Sequence, residues 1–415
     1  MVEALGSPAA ARNDKLLCAF LLLVSLAYSG FAAFDYFSYF EEGLFDFTLR
    51  PVGRDFVNYW TAGSAVLDGL VPQVFDVSFY HAYQERLFDH EVTDYNWSYP
   101  PHMLLLVWPL GALSYLWALA AWSLVLLLLY LWAAASGRQQ AALVAVALLA
   151  APATFECLTS GQNGFLTGAL LIGGLRLLGP RPVLAGILFG ILTIKPQLGL
   201  LLPFALLAAR QWTAIAAAGL TTLVLVGISI AVFGWGAWEA YFELVVPTQS
   251  EILTERTAPY LKMMPSAYIG MRLIDAEPLL RNAAQILMSG VALAGVVWVF
   301  RRSTDADLKF AVIAVGAFLA SPYAFDYDMT AVMLAVVLVT LRGLRDGFLP
   351  GERIALAATW SLPSTVFWLN AVHLPVGALI LLSCFVCLLA RNARAVKGES
   401  RRGFVWAKSS QRLAS

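Results

Sequence analysis

Six short polar stretches interrupt an otherwise apolar chain: GRDFVNYW (53–60), DYNWSYPPH (94–102), SGQNG (160–164), IKPQ (194–197), YLKMMPS (260–266) and SPYAFDYD (321–328). They bring carboxylates (Asp55, Asp326, Asp328), amides (Gln162, Asn163, Gln197), aromatic rings (Tyr59, Trp60, Tyr99, Tyr323) and cations (Arg54, Lys195, Lys262), with His102 closing the second stretch. Polar and ionisable groups near a membrane are costly and mark a pathway or a site. The chemistry open to them is restricted. The sequence has no H-E-x-x-H, no Walker loop, no G-x-S-x-G and no Cys/His cluster with metal spacing, and its four histidines are His81, His90, His102 and His373. A metal centre, an ATPase and a serine hydrolase are therefore disfavoured.

Each position also has a purely structural reading. Asp55 precedes an amphipathic run and Asp326 and Asp328 precede an apolar one, so all three could cap helices. Lys195 could snorkel to the interface. Gly161 and Gly164 could serve turns and packing, because GFLTG (164–168) and GILFG (186–190) carry small-x-x-x-small spacing. Caps and snorkels should fall on both faces of a membrane equally, and these clusters do not.

The elements that must position them are set by composition. Of 415 residues, 60% are hydrophobic and 13% charged, about half the charged share usual in soluble domains. Apolar runs long enough to span a bilayer recur throughout. Twelve candidate spans lie at 16–34, 115–135, 141–158, 163–179, 182–195, 197–209, 212–233, 281–300, 308–321, 327–342, 353–370 and 374–390. The first could pass for a signal peptide but is long for one, and reads as an uncleaved helix. With the N-terminus in the cytoplasm, 19 of the 27 basic residues fall inside and 8 outside, as the positive-inside rule requires.

The expected fold is an all-α integral membrane protein with about 12 transmembrane helices and both termini cytoplasmic. Residues 1–390 form one polytopic domain, and 391–415 a basic cytoplasmic tail. Residues 35–114 form a large first outer loop, and its 35–100 portion holds 11 acids against 3 bases. Within it, Phe56, Tyr59, Trp60, Gly63, Leu67 and Leu70 share one helical face, and Phe79, Tyr80, Tyr83 and Leu87 another. Both read as interfacial helices, and 100–113, opened by two prolines, as a shallow one. Cys384-x-x-Cys387 lies inside an apolar run and reads as packing, and the NWS sequon at 96–98 carries little weight.

The order R-D-F-x-x-Y-W, Y-P-P, G-Q-N, K-P-Q and S-P-Y-x-x-x-Y-D, over roughly 50–330, resembles the family 87 glycosyltransferases. These are integral-membrane enzymes of the C-type superfamily that use polyprenyl-phosphate sugars, among them mannosyl- and arabinofuranosyl-transferases of the cell envelope. The resemblance implies that Asp55 is the catalytic base. It points to Arg54, Lys195 and Lys262 for the donor phosphate. Tyr59, Trp60, Tyr99, His102, Gln162, Asn163, Gln197, Tyr323, Asp326 and Asp328 would contact sugar or acceptor. It further implies no cofactor beyond a polyprenyl-phosphate-linked sugar as donor, a lipid or glycan acceptor, the lipid bilayer as partner, no nucleic acid, and a plasma-membrane location with the site facing outward. One departure is that AFDYD (324–328) stands where the family often has histidine, so Asp326 or Asp328 would replace it or the substrates differ. The competing classes are a transporter or lipid flippase, suggested by the proline-interrupted helices at IKPQ, and a non-catalytic scaffold.

Overall fold

The computed structural model describes residues 8–46, 49–92, 95–255 and 258–413, with side chains at 10–35, 43–46, 49–92, 95–255 and 258–396. Asp94 and Arg256, counted above among the outer charges, lie outside the described residues. Nineteen α-helices run through the described chain. The N-terminal part comprises α1 (Pro8–Glu42), α2 (Phe56–Leu67), α3 (Val77–Phe88) and α4 (Leu104–Val107). Next come α5 (Tyr115–Ala135), α6 (Ala141–Leu149), α7 (Pro152–Thr159), α8 (Gly164–Leu177), α9 (Pro182–Ile191), α10 (Leu202–Ala208) and α11 (Trp212–Phe233). The segment after α11 holds α12 (Gly236–Ala240), α13 (Val246–Thr254) and α14 (Ala267–Leu273), and α15 (Pro278–Arg302), α16 (Ala306–Ala320), α17 (Thr330–Asp346), α18 (Glu352–Ala371) and α19 (Gly377–Leu413) complete the bundle.

A helix stands at each of the twelve expected spans, but six are long and apolar enough to cross a membrane: α1, α5, α11, α15, α17 and α19. The bent pair α6–α7 makes a seventh if it is counted as one span. For α8, α9, α10 and α16 the difference is one of length, whereas α18 has 20 residues and is too polar. The 14 residues of α8 extend only about 21 Å at 1.5 Å per residue, against a hydrocarbon core of about 30 Å. The 55° bend between α6 and α7 falls at Ala150–Ala151, where Pro152 withholds a backbone donor.

Burial ranks these helices. The α17 window is 78% buried and occupies the centre, whereas that of α11 is 6% buried and presents nearly all its surface outward. GILFG and GFLTG are contact faces, as expected: Gly186 and Gly190 meet α11 at Ala214 and Thr221, and Gly168 meets Thr330 of α17. The α2 helix departs from expectation. Nine of its residues, from Phe56 to Ala65, are buried over most of the helix circumference, so it packs within the protein rather than offering one face to lipid. By contrast α3 is amphipathic, with Tyr80, Tyr83 and Gln84 buried. α19 continues unbroken past residue 390, and Arg391 is buried against Glu352.

The charged residues separate to the two ends of the bundle. At one end Arg138 pairs with Asp307 at 3.0 Å, Arg342 with Asp305, Arg353 with Asp14 at 2.5 Å and Arg391 with Glu352. The polar stretches gather at the other.

Candidate active site

Three short connections and two segments of the first loop build the polar cluster. The bend at Pro152 tips α7, whose C-terminal turn carries Gly161, Gln162 and Asn163 into α8. Gly161 has φ 59°, and a Cβ there would sit 2.5 Å from the Phe56 Cβ and 2.8 Å from the Gly53 carbonyl. Only glycine fits both the backbone and the approach. Gly164 abuts the 3-10 turn Asp326–Met329 so closely that a Cβ would lie 2.2 Å from the Tyr327 carbonyl oxygen.

Asp55 stands at the N-terminus of α2 but makes no side-chain cap. Its Oδ2 instead accepts a 2.7 Å hydrogen bond from Gln162 Nε2. The Gln162 carbonyl oxygen is fixed in turn by Tyr59 Oη at 2.6 Å, Tyr99 Oη at 3.1 Å and the Asn163 amide at 3.3 Å. With its oxygen held by donors, the Gln162 amide must present N–H to Asp55. Burial, the largest influence, pushes the Asp55 carboxyl above its ordinary range, opposed by the Gln162 hydrogen bond and by Arg54, Lys195 and Arg50. Asp55 nevertheless remains partly exposed.

Lys195 does not snorkel. Its side chain is 4% exposed and its Nζ donates to Asp328 Oδ1 at 2.6 Å and to Asn163 Oδ1 at 3.1 Å, with the Tyr327 ring 5.0 Å away. Asp328 does not cap α17 by its side chain, and its Oδ2, like Asn163 Nδ2, is buried with no hydrogen-bond partner among the described residues. An orphaned buried acceptor and an orphaned buried donor at one site can serve a polar ligand. Asp326 is also buried, and its Oδ1 accepts from the Tyr327 amide at 2.8 Å.

The remaining expected residues fall into two groups. Arg54 pairs with Asp35 of α1 at 2.6 Å, beside Asp55, and the half-buried Tyr323 packs edge-on against Phe325 at 5.1 Å. Trp60 turns away: its indole N–H donates to the Leu113 carbonyl and its ring packs on Phe88 and Tyr115. Gln197 is half-buried and makes no hydrogen bond to the cluster among the described residues. His102 stacks on Trp238, 3.4 Å from Thr193 Oγ1, and burial pushes its imidazole down to about 4, so it is neutral near pH 7. Lys262 lies in the turn Pro259–Met263, whose backbone is anchored by Asn370, and makes no ion pair among the described residues.

Glu156 of α7, hydrogen-bonded by Tyr28 of α1, lies close enough to Asp326 to interact with it. The sequence motifs do not include it. A lone acid inside the apolar run APATFECLTS was the available signal. With Asp35, five carboxylates thus surround two cations, Arg54 and Lys195, and both of those are ion-paired.

A helical membrane-embedded bundle with a carboxylate-rich polar site at one end is the class that fold and site define. The sequence model of glycosyltransferase family 87 matches residues 97–322, just over half the chain, and the protein belongs to that family. It is therefore a glycosyltransferase. The matched region contains Tyr99, Gln162, Asn163, Lys195 and Lys262, while Asp55 precedes it and Asp326 and Asp328 follow it. No curated protein and no solved structure matches the chain.

Proposed function

We propose that the protein moves a sugar, mannose first among candidates, from a polyprenyl phosphate to a glycolipid or glycan acceptor of the cell envelope. Transfer takes place on the outer face of the plasma membrane, with twelve spans and both termini in the cytoplasm. In a single displacement the acceptor oxygen bonds to the anomeric carbon as its bond to phosphate breaks. The electron pair leaves with polyprenyl phosphate, and the acceptor proton passes to Asp55. The leaving phosphate is a stable anion and needs nearby positive charge and N–H donors rather than a general acid. Arg54, adjacent to Asp55 and partly exposed though paired with Asp35, is the better placed cation, since Lys195 is buried against Asp328 and Lys262 lies in the separate turn Pro259–Met263. Gln162, Asn163 and Asp328 offer directional groups for sugar or acceptor hydroxyls.

One observation carries this reading. Asp55 sits at a helix start yet points its carboxylate at Gln162 rather than at the backbone, and burial makes it a stronger base than an ordinary carboxylate. The test is to incubate membranes containing the protein with radiolabelled polyprenyl-phosphate mannose and arabinofuranose and candidate acceptor lipids, comparing wild type with Asp55→Asn at equal insertion. Transfer by wild type and its loss in the variant is expected. Transfer surviving in Asp55→Asn would return Asp55 to a structural role.

A further inference from the structure

At the end of the bundle opposite Asp55, the chain leaving α10 (207–211), the last turn of α15 (300–302) and Lys309 of α16 surround an open cavity of about 560 Å³. That size lies within the range of small-molecule and cofactor sites. Four cations line it, Arg210, Arg301, Arg302 and Lys309, and none has a carboxylate within ion-pair distance among the described residues. The contrast is local, because Arg138, Arg342, Arg353 and Arg391 at the same end each meet a carboxylate.

Ordinary helix electrostatics explains part of this cluster. Arg301 and Arg302 close α15, where the dipole favours cations. Lys309 is in the first turn of α16, where the dipole disfavours one. Of the two acids ahead of it, Asp305 is taken by Arg342 and by the Leu308 amide and Asp307 by Arg138. Arg210 occupies a left-handed position (φ 54°) just after α10, where glycine is the usual residue. Lys309 has the Phe300 ring 5.6 Å from its Nζ, but the fold supplies neither side chain with an ion partner among the described residues.

We propose that this cavity binds the phosphate headgroup of an anionic phospholipid. The four cations supply the counter-charge, as basic pockets between membrane helices do for acidic lipids. The lipid rather than a free oxyanion is indicated by the surroundings: Leu207 lines the cavity, Trp212 follows it at the start of α11, and the two are 48% and 61% exposed. The outward surface of α11 continues from there and offers acyl chains an apolar wall. This site is separate from the one assigned to sugar transfer, and its test does not involve transfer.

The experiment uses the full-length protein, delipidated in detergent. Phosphatidylglycerol, phosphatidylcholine or inorganic phosphate is added, and bound lipid is counted by native mass spectrometry. Wild type is expected to retain phosphatidylglycerol roughly tenfold over phosphatidylcholine. Arg301→Gln/Arg302→Gln and Lys309→Gln, separately and together, should bring retention towards the phosphatidylcholine level, and excess inorganic phosphate should displace the lipid. A control set on the same end, Arg12→Gln, Lys15→Gln, Arg181→Gln and Arg394→Gln, all exposed, should leave retention unchanged. Should the combined variant fail to fold, the two-arginine variant alone decides, because both side chains are exposed. Equal loss in the control set would reduce the effect to general positive charge and overturn the proposal. So would unchanged retention in the cavity variants, or phosphate binding without any lipid preference.

Discussion

Asp55 and Lys195 are single residues whose roles turn on what their charges meet. The Asp55 carboxylate must be ionised to accept a proton, and burial raises its pKa. The acid limb of kcat/KM is therefore expected at higher pH than for an ordinary carboxylate, with activity falling as pH drops through it. Arg54 holds that pKa down, so Arg54→Gln should shift the limb further upward, and a downward shift would contradict the arrangement. Replacing Asp55 by Asn is expected to cost about 10²–10⁴-fold in transfer. Lys195 and Asp328 form a buried pair. Removing one partner leaves an uncompensated charge at a cost on the order of 3–5 kcal/mol, whereas replacing both by apolar residues restores much of it. Lys195→Met should therefore unfold at lower temperature in detergent than Lys195→Met/Asp328→Leu. A double variant no more stable than the single one would mean the pair is not what Lys195 contributes.

At the scale of elements, the site depends on how closely α8 approaches the turn before α17. Gly164→Ala places a methyl 2.2 Å from the Tyr327 carbonyl, and overpacking of this kind costs about 1–3 kcal/mol. Separating Asn163 from Asp328 also strains the Lys195 bridge between them. Lower thermal stability and lost transfer are both expected. Gly219→Ala, where the new methyl meets nothing within 4 Å, should leave both intact, as a comparison of melting curves and transfer rates would show. The Pro152 bend belongs to the same scale, since it aims the 161–163 turn at α2.

The whole molecule has two polar ends of different character, an acidic cluster around Asp55 and a basic end rich in arginine. With the basic end in the cytoplasm, a cysteine placed at the exposed Gln73 should react with an impermeant maleimide in intact cells. One at the exposed Gln139 should react only after permeabilisation. The labelling requires a background lacking Cys18, Cys157, Cys384 and Cys387. The reverse pattern would invert the orientation and move the proposed transfer to the other face.

Composition and periodicity alone determined that this is a helical membrane protein, where its helices lie and which stretches are polar, because hydrophobic length and residue type are local properties. The glycine spacings marked true helix contacts for the same reason. What local pattern could not decide was partnership. Whether Asp55 capped α2 or reached Gln162, 107 positions away, depends on long-range packing, as does the burial of Lys195 against Asp328. The circumference of α2 reads as one-sided in the sequence because its cover comes from distant segments. Trp60 and Tyr59 are neighbours in sequence, yet only the fold sends Tyr59 to Gln162 and Trp60 to Leu113. Glu156 escaped notice because a lone acid acquires meaning only when the α7 bend sets it beside Asp326.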